Sequence, residues 1–473
     1  MQRAVMAIHH VHLVGIGGIN MSAVAKLLQH AGISVSGSDL ASSLMTDELV
    51  ARGIPVAIGH KPSNIPSDTD LVIYTSAAQD TNPERQEARR RNIRQLTNFQ
   101  FLGEWTADQQ TVLVTGTHGK STTTAMLAEM LVRGGKDPSV VVGSKVPSFV
   151  EGNVRLGSGE LFLIEGDEYA RHFLEFHPSA VIINNIELDH TDIFPNLRSL
   201  IEAFRELLRQ VRNGGLVVAN ADDPRVQTLI GEERAQLEAR RISIVTFGFG
   251  AHADVNVIDY TSRPGEQMFV MRDPRGAIVR LSLHVPGKMN VMNAVAAATL
   301  AVRLEVRPER IRESLAAYAG IWRRFEKIAE KNGILVVSDY GHHPTAVQAN
   351  LDASKAFYPD RRLVLCFQPH HRNRTKALFQ DFIPSFDRAD VLLFVEIFDV
   401  AGRDDATDQD ISSRDLQETI LNRDAKRRVN RPVEYAATPE EALKLLRRWK
   451  KPNDLILVMG AGDIYKIADK IVD

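Results

Sequence analysis

The segment TVLVTGTHGKST, residues 111–122, decides the fold class of this 473-residue chain. Its first five residues form an apolar, β-branched run typical of a buried strand, and a glycine-containing turn then leads into a helical pattern. A strand, a glycine loop and a helix in this order place backbone N–H groups and a helix N-terminus around a bound phosphate. We therefore predict a phosphate-binding loop within an α/β fold.

The loop contains residues suited to phosphate and residues suited to a metal. Lys120 is expected to contact the outer phosphates, and the Ser121 hydroxyl is placed to ligate Mg²⁺. The usual motif has a glycine where this chain has Val114, so the loop is a shortened variant. Because Lys120 is expected to serve phosphate charge rather than the core, its replacement should leave the fold intact. The predicted nucleotide-binding residues of the loop are Gly116, Thr117, His118, Gly119, Lys120, Ser121 and Thr122.

Short Val/Ile/Leu runs alternate with helical patterns along the whole chain, which is typical of parallel sheets covered by helices. A second nucleotide-binding opening lies near the N-terminus, where a strand ending at Val14 meets the glycine turn 15–18. A third series of strands begins after about residue 324. A chain of this length is expected to form about three domains. We predict them at residues 1–107, 108–322 and 323–473.

Composition excludes several classes of protein. The chain has 57 Lys+Arg against 59 Asp+Glu, so it lacks the basic surface that neutralises nucleic-acid phosphates. No apolar run approaches the roughly 20 residues of a membrane-spanning helix, and the N-terminal residues do not resemble a signal peptide. We therefore expect a cytoplasmic protein without membrane insertion or nucleic-acid binding. The single cysteine, Cys366, lies in an apolar run and is expected to be a buried structural thiol. The sequence does not predict an oligomeric state.

Two acidic clusters follow predicted strands of the central region. Residues 165–168 come directly after one strand, and residues 187–190 follow the next. In α/β sheets, ligands bind at the carboxyl ends of strands. Carboxylate oxygen and imidazole nitrogen are suitable Mg²⁺ or Mn²⁺ ligands when ATP phosphates complete the coordination. Alone, such clusters would be solvated turns or helix caps, but beside a phosphate loop they predict a metal site.

These segments resemble the Mur ligase family over nearly the whole chain. Besides the loop and the acidic clusters, the matching motifs are residues 287–293, 320–325 and 339–344. The resemblance implies an ATP-dependent, amide-bond-forming ligase that acts on a UDP-linked muramic acid. It also implies a UDP-sugar-binding Rossmann-like N-terminal domain, a central P-loop ATPase domain and a Rossmann-like C-terminal domain that receives the amino acid.

The resemblance carries roles over to individual residues of the nucleotide and metal site. The implied ligands of Mg²⁺ or Mn²⁺ are Ser121, Glu165, Glu168 and His190. The implied ATP contacts outside the loop are Asn290, Asn293, Arg324 and Asp339. The family usually has a histidine stacking on adenine where this chain has Met289. Many relatives carry a carbamylated lysine near the second metal, but no lysine lies between Lys145 and Lys288.

The resemblance also implies substrate contacts and catalytic residues. The implied UDP-sugar contacts are Gly15, Gly17, Gly18, Asp39, Ser76 and Ala77. The residues implied near the muramic acid and the amino acid are His190, Tyr340 and Arg374. The implied catalytic set is Lys120, Arg324, His342, His343, His370 and Arg374. Arg374 suits a carboxylate because a guanidinium can donate two parallel hydrogen bonds.

Two branches of the family fit the chain, and they differ in the second substrate. Residues 339–345, 367–370 and 459–464 resemble the branch that joins L-alanine to UDP-N-acetylmuramate through an acyl phosphate, in peptidoglycan precursor synthesis. Residues 185–192 resemble at least as well the recycling branch, which adds a tripeptide to the same UDP-sugar. Because the amine is expected to meet the C-terminal domain, we predict L-alanine and keep the tripeptide as the alternative.

Two other classes of protein compete with a ligase. An NAD-dependent dehydrogenase would explain the first glycine turn and Asp39 after the second strand, although Asn20 stands where the third glycine would be. Such an enzyme has no use for a second phosphate loop with metal ligands. A non-catalytic nucleotide-binding regulator would keep Lys120 but would not need Glu165, His190, Arg324 and Asp339 together. Both alternatives can be tested by measuring which ligands the chain binds.

Overall fold

The computed structural model of this chain describes residues 8–190, 193–273, 276–399 and 410–472. Three separate sheets follow one another along the sequence, each covered by helices. The predicted α/β fold class is confirmed. The last two residues of the 185–192 motif lie outside the described residues.

The N-terminal sheet has five parallel strands. In spatial order they are Val56–Ile58, Ser34–Asp39, His10–Val14, Leu71–Tyr74 and Arg94–Thr97. The α-helices are Ile19–His30, Leu44–Ala51, Pro83–Arg90 and Asn98–Trp105, with a 3₁₀ turn at Pro62–Asn64. The strand order reverses beside the central strand His10–Val14. The glycine turn that follows it therefore lies at the switch point where open α/β sheets bind ligands.

The central sheet has ten strands and contains the phosphate loop. In spatial order they are Ile278–Leu283, Glu266–Arg272, Val255–Arg263, Ser243–Gly248, Leu216–Asn220, Ala180–Ile183, Gln110–Thr115, Leu161–Glu165, Ser139–Val141 and Val154–Arg155. The α-helices are Lys120–Arg133, Leu197–Gln210, Pro224–Ala239, Lys288–Arg303 and Pro308–Ala316, with a 3₁₀ segment at Tyr169–Glu175. Antiparallel pairing is confined to the two ends of the sheet, among the first three strands in this order and between the last two. The interior is parallel, so the loop and both acidic clusters leave the same edge of the sheet.

Two helices of the central region pack against each other over the sheet. The helix Lys288–Arg303 is buried from Val295 to Ala298 through an uninterrupted run of small side chains. Small side chains allow the helix Lys120–Arg133 to approach closely, and that helix is itself buried from Ser121 to Ala128. This packing holds Asn290 and Asn293, in the first two turns of one helix, beside the phosphate loop at the start of the other.

The C-terminal sheet has six strands, of which only the first pairs antiparallel. In spatial order they are Glu326–Lys331, Ile334–Asp339, Asp454–Met459, Arg362–Phe367, Val391–Val395 and Val433–Ala436. The α-helices are Pro344–Phe357, Arg372–Ala377, Phe379–Ser385, Ser413–Arg427 and Pro439–Trp449, with a 3₁₀ turn at Ile464–Ile467. Cys366 is buried in the strand Arg362–Phe367 as predicted, and burial raises the pKa of its thiol to about 12.

Across the described parts of the chain, no helix combines the length and the apolar character needed to cross a membrane.

Candidate active site

The phosphate loop joins the strand Gln110–Thr115 to the helix Lys120–Arg133. Gly119 caps the helix with a φ of +82°. A Cβ atom at this position would lie 2.3 Å from Oδ1 of Asn293. Only glycine meets both demands, because L residues rarely adopt this φ and the neighbouring amide leaves no space. The loop therefore lies against Asn293, which the family resemblance implied as an ATP contact.

Lys120 is held by acceptors on both sides. Its Nζ lies 2.7 Å from Oε2 and 3.0 Å from Oε1 of Glu168, and 2.8 Å from the carbonyl oxygen of Gly116. Burial alone would lower the pKa of Lys120, but the charges of Glu168 and Asp167 outweigh it and raise that pKa. Burial raises the pKa of Glu168 although Lys120 opposes the shift, and the nearby Asp167 charge adds to it. Two carboxylates thus share one ammonium group.

The predicted metal ligands fall into two groups. The Ser121 hydroxyl donates to Oε1 of Glu165 at 3.0 Å, and the other oxygen of Glu165 accepts from the backbone N–H of Gly143 at 2.8 Å. The second group consists of Glu168 and His190, joined by Asp167. One possible ligand atom from each of these three lies within 4.8 Å of the others.

Asp167 is a candidate ligand that the sequence interpretation left out, although it stands in the same acidic cluster. Hydroxyl and carboxylate oxygens fit Mg²⁺ in the first group, and carboxylate oxygens with an imidazole nitrogen fit Mg²⁺ or Mn²⁺ in the second. The donor chemistry of these side chains is therefore compatible with the implied cations.

A first contact between the central and C-terminal regions is centred on Glu187. Its Oε2 lies 2.8 Å from Nε2 of His118 in the phosphate loop and 3.8 Å from Nδ1 of His343. Its Oε1 accepts from the hydroxyl of Thr345 at 2.8 Å. Burial would raise the pKa of Glu187, but the hydrogen bond from His118 and the neighbouring imidazoles lower it to about 2. Glu187 belongs to the second acidic cluster but was not named individually as a site residue, and Thr345 was not predicted as one.

A second contact between the same regions is centred on Asp189. Nε of Arg374 donates to Oδ1 of Asp189 at 2.7 Å, and Nε2 of His342 lies 3.8 Å from Oδ2. The terminal nitrogens of Arg374 reach Nδ1 of His370 at 3.3 Å and Nδ1 of His190 at 3.4 Å. Burial and the Arg374 charge lower the pKa of His342 to about 3, so this ring is neutral at pH 7. The structure thus brings Arg374, His342 and His370 to the metal-ligand group.

A cavity of about 430 Å³ lies between the phosphate loop and the C-terminal region. Its walls include seven of the predicted nucleotide contacts, namely His118, Gly119, Thr122, Asn290, Asn293, Arg324 and Asp339. Met289 also lines it, where the family usually has histidine. Further lining residues that the sequence did not indicate are Asn184, Asn185, Asn220, Asp223, Arg225 and Phe247. The lining combines these polar side chains with the apolar Met289 and Phe247, which suits a nucleotide base and sugar.

Asp339 shapes the wall of this cavity. Its carboxylate accepts from the backbone N–H groups of Phe325 and Gly341, both at 2.7 Å, and from the Asn350 side chain at 3.1 Å. Burial raises the pKa of Asp339 despite the nearby Arg324 charge. The guanidinium of Arg324 lies 5.0 Å from the ring centre of Tyr340. Asp339 therefore orders the backbone around Arg324.

The predicted UDP-sugar contacts gather at the glycine turn of the N-terminal sheet. The backbone N–H of Gly17 donates to Oδ2 of Asp39 at 2.8 Å, and Leu40 N–H donates to Oδ1 at 2.8 Å. Ser76 and Ala77 form an exposed turn after the neighbouring strand. None of the six predicted contacts, all within the described residues, lines the 430 Å³ cavity. The glycine turn at residues 15–18 and the phosphate loop thus lie at different sites of the molecule.

Sequence comparisons agree with this arrangement of three sheets. Family sequence models match residues 10–110 (Mur ligase family, catalytic domain), 114–301 (Mur ligase middle domain) and 323–462 (Mur ligase, glutamate ligase domain). The chain belongs to the Mur ligase family.

Similar proteins align with this Mur ligase over nearly its whole length. It is 38% identical to a UDP-N-acetylmuramate--L-alanine ligase of Salinibacter ruber, over 100% of this chain and 96% of the relative. It is 36% identical to the protein of the same name from Solibacter usitatus, over 98% and 95%.

Among solved structures, the UDP-N-acetylmuramate-alanine ligase of Thermotoga maritima aligns with this Mur ligase at a TM-score of 0.82. The two share 29% identity, and the alignment covers 98% of both chains. A murein peptide ligase of Psychrobacter arcticus aligns at a TM-score of 0.71 with 23% identity over 98% of both chains, a likeness of fold. The predicted family and its three-domain architecture are confirmed.

Proposed function

We propose that this Mur ligase uses ATP to join L-alanine to the lactyl carboxylate of UDP-N-acetylmuramate. The observation that carries the proposal is the 3.4 Å contact between Arg374 and His190. It puts a carboxylate-binding guanidinium from the C-terminal region beside the candidate metal ligands and the phosphate loop. An amino acid held by Arg374 would present its amine to a group activated at that loop.

The first step is activation of the acid, because a carboxylate does not react with an amine at neutral pH. An oxygen of the lactyl carboxylate attacks the γ-phosphorus of ATP, the bond to ADP breaks, and an acyl phosphate forms. Lys120 and Arg324 offset charge on the transferring phosphoryl group, and losing one such contact typically costs about 3–4 kcal/mol of transition-state stabilisation. Release of Lys120 from Glu168 toward phosphate would accompany ATP binding.

The residues that would hold Mg²⁺ or Mn²⁺ are Ser121 with Glu165, and Glu168 and His190 with Asp167. A bound cation would neutralise phosphate charge and orient the reacting oxygens. The affinity of this site for the cation should depend on Lys120, because Lys120 competes for the same Glu168 carboxylate.

The second step is amide formation. The amine attacks the acyl phosphate carbonyl, and the tetrahedral intermediate collapses to the amide and inorganic phosphate. With a pKa of about 3, His342 is too weak a base to remove a proton efficiently at pH 7. We assign His342, His343 and His370 to orientation of the amino acid, with Arg374 binding its carboxylate. Domain closure excludes the water that would hydrolyse the acyl phosphate.

The UDP part of the substrate is assigned to the N-terminal glycine turn, with Gly15, Gly17, Gly18, Asp39, Ser76 and Ala77 around it. We assign the domain limits 1–107, 108–322 and 323–473, since each range contains one of the three sheets. Because ATP and a UDP-sugar are the substrates, the proposed location is the cytoplasm.

The names of the relatives support L-alanine as the second substrate. Proteins at 34–38% identity over nearly the whole chain are named UDP-N-acetylmuramate--L-alanine ligase. The murein peptide ligase aligns with lower identity and a lower TM-score. The tripeptide of the recycling branch is therefore the second candidate.

The test is phosphate release from ATP with UDP-N-acetylmuramate and Mg²⁺, scanned over amino acids and short peptides. We expect release that depends on both UDP-N-acetylmuramate and L-alanine, with a stoichiometric amide product. Absence of amine-dependent release with every compound would refute the ligase function. Binding of NAD at residues 15–18 would instead support a dehydrogenase.

A further inference from the structure

The carboxylate of Asp189 occupies only one edge of the Arg374 guanidinium. Oδ1 of Asp189 accepts from Nε of Arg374 at 2.7 Å, while neither terminal nitrogen is bound to a carboxylate within the described chain. The terminal nitrogens instead contact His370, from the C-terminal region, and His190, from the central region. The two-nitrogen edge suited to a second carboxylate thus faces the junction of the domains.

Asp189 is itself well fixed. Its Oδ1 also accepts the backbone N–H of His190 at 2.7 Å, and its side chain is 7% exposed against 9% for Arg374. A buried guanidinium without such a partner would carry a large desolvation cost and would lack a defined orientation.

From this geometry we infer that Asp189 is a positioning residue that orients Arg374 for the carboxylate of the incoming amino acid. The inference rests on the proposed function and names a residue that acts through another. Asp189 belongs to the central region and Arg374 to the helix Arg372–Ala377, 185 positions later. Orientation is therefore complete only when the two regions are together, which links amino-acid binding to closure. A competing role, in which Asp189 blocks Arg374 until the amino acid displaces it, predicts the opposite change in affinity.

The test is Asp189→Asn, which keeps the shape and removes the charge. We expect the KM for L-alanine to rise about 10- to 100-fold, the range for a hydrogen bond to a charged group. The KM values for ATP and UDP-N-acetylmuramate should change by no more than about threefold, since neither ligand is assigned to Arg374. An unchanged or lower KM for L-alanine, or an equal rise for all three substrates, would overturn the inference.

The chain offers a matched control at Asp424. Nε of Arg431 donates to Oδ2 of Asp424 at 2.7 Å, and these side chains are 6% and 5% exposed. Asp424→Asn removes the same kind of buried pair away from every proposed site residue. It should lower thermal stability as Asp189→Asn does and leave the KM for L-alanine unchanged. An equal rise in both variants would show a merely structural effect and overturn the inference.

Two further measurements test the inference, and the first of them does not depend on the folding of Asp189→Asn. In Asp189→Glu, which retains the charge, the KM for L-alanine should be closer to wild type than in Asp189→Ala. In a protein that already carries Arg374→Lys, Asp189→Asn should raise the KM for L-alanine much less than it does in wild type, because both changes act on one interaction. Additive effects would overturn the inference.

The Nε–H resonance of Arg374 in ¹⁵N spectra tests the pair without turnover. It should be protected from exchange in wild type and in Asp424→Asn, and should lose protection in Asp189→Asn. If the wild-type protein formed no amide with any amine, the proposed function would be refuted. The spectrum would still test the contact between Asp189 and Arg374. Turnover with an unchanged KM would refute the role of Asp189 alone.

Discussion

Nζ of Lys120 lies between the two oxygens of Glu168, at 2.7 Å and 3.0 Å, and Glu168 is 2% exposed. The sequence presented Lys120 as a residue for phosphate charge that the fold would not need. The structure corrects this expectation, because without a ligand Lys120 is the counter-charge of a buried carboxylate. Its replacement would leave Glu168 charged and unpaired, or force it to take up a proton.

We predict that Lys120→Met abolishes amide formation and also lowers the free energy of unfolding, by about 3–5 kcal/mol. Adding Glu168→Gln should recover most of the stability without restoring activity, since the uncompensated charge is then gone. Denaturant unfolding and amide formation are measured on the same preparations. Normal stability of Lys120→Met at pH 7 would contradict the structural role of the pair.

Gly119 and Gly135 provide a matched pair at the two ends of one helix. Both have a positive φ, +82° and +76°, but a Cβ would meet Asn293 at Gly119 and nothing within 4 Å at Gly135. Gly135→Ala should cost about 1–2 kcal/mol of stability from backbone strain alone and leave ATP affinity unchanged. Gly119→Ala should carry the same strain and weaken ATP binding at least tenfold, about 1.4 kcal/mol, as measured by calorimetry. Equal ATP affinities in the two variants would argue against the loop as the ATP site.

The pKa of Glu187 predicts a pH dependence of stability. Because its folded-state pKa is about 2 against an ordinary value of 4.5, ionised Glu187 stabilises the fold above pH 4.5, and this contribution is lost as the pH falls toward 2. The difference in unfolding free energy between wild type and Glu187→Gln should thus be largest above pH 4.5 and shrink below it. A difference that stays constant from pH 7 to pH 3 would mean that the contacts of the Glu187 carboxylate with His118 and His343 contribute nothing.

The preference for the second substrate is predicted to be L-alanine over L-Ala-γ-D-Glu-meso-diaminopimelate, compared by kcat/KM. A small apolar pocket discriminates only about 10- to 200-fold per methylene group. Slow use of glycine or L-serine is therefore compatible with this prediction. A higher kcat/KM for the tripeptide would reassign the protein to the recycling branch and leave the ligase chemistry intact.

Local patterns in the sequence were sufficient for the architecture and for the phosphate loop. The run Thr111–Thr115, a glycine turn and a following helical pattern specify a strand, a loop and a helix through interactions between neighbours in the chain. The strand formed at Gln110–Thr115 and the helix at Lys120–Arg133. The acidic clusters could likewise be placed at one sheet edge, because parallel strands end together. Residue spacing thus determined which groups are available.

Tertiary structure alone decided which of these groups meet. Glu165 bonds Ser121, whereas Glu168 pairs with Lys120 and gathers with Asp167 and His190. Asp189 finds Arg374 across 185 positions. No periodicity connects Asp189 with Arg374, because their approach depends on how the central and C-terminal domains pack. The choice among several nearby carboxylates depends on side-chain direction and burial, which become defined only once the sheets, helices and domain junction are assembled.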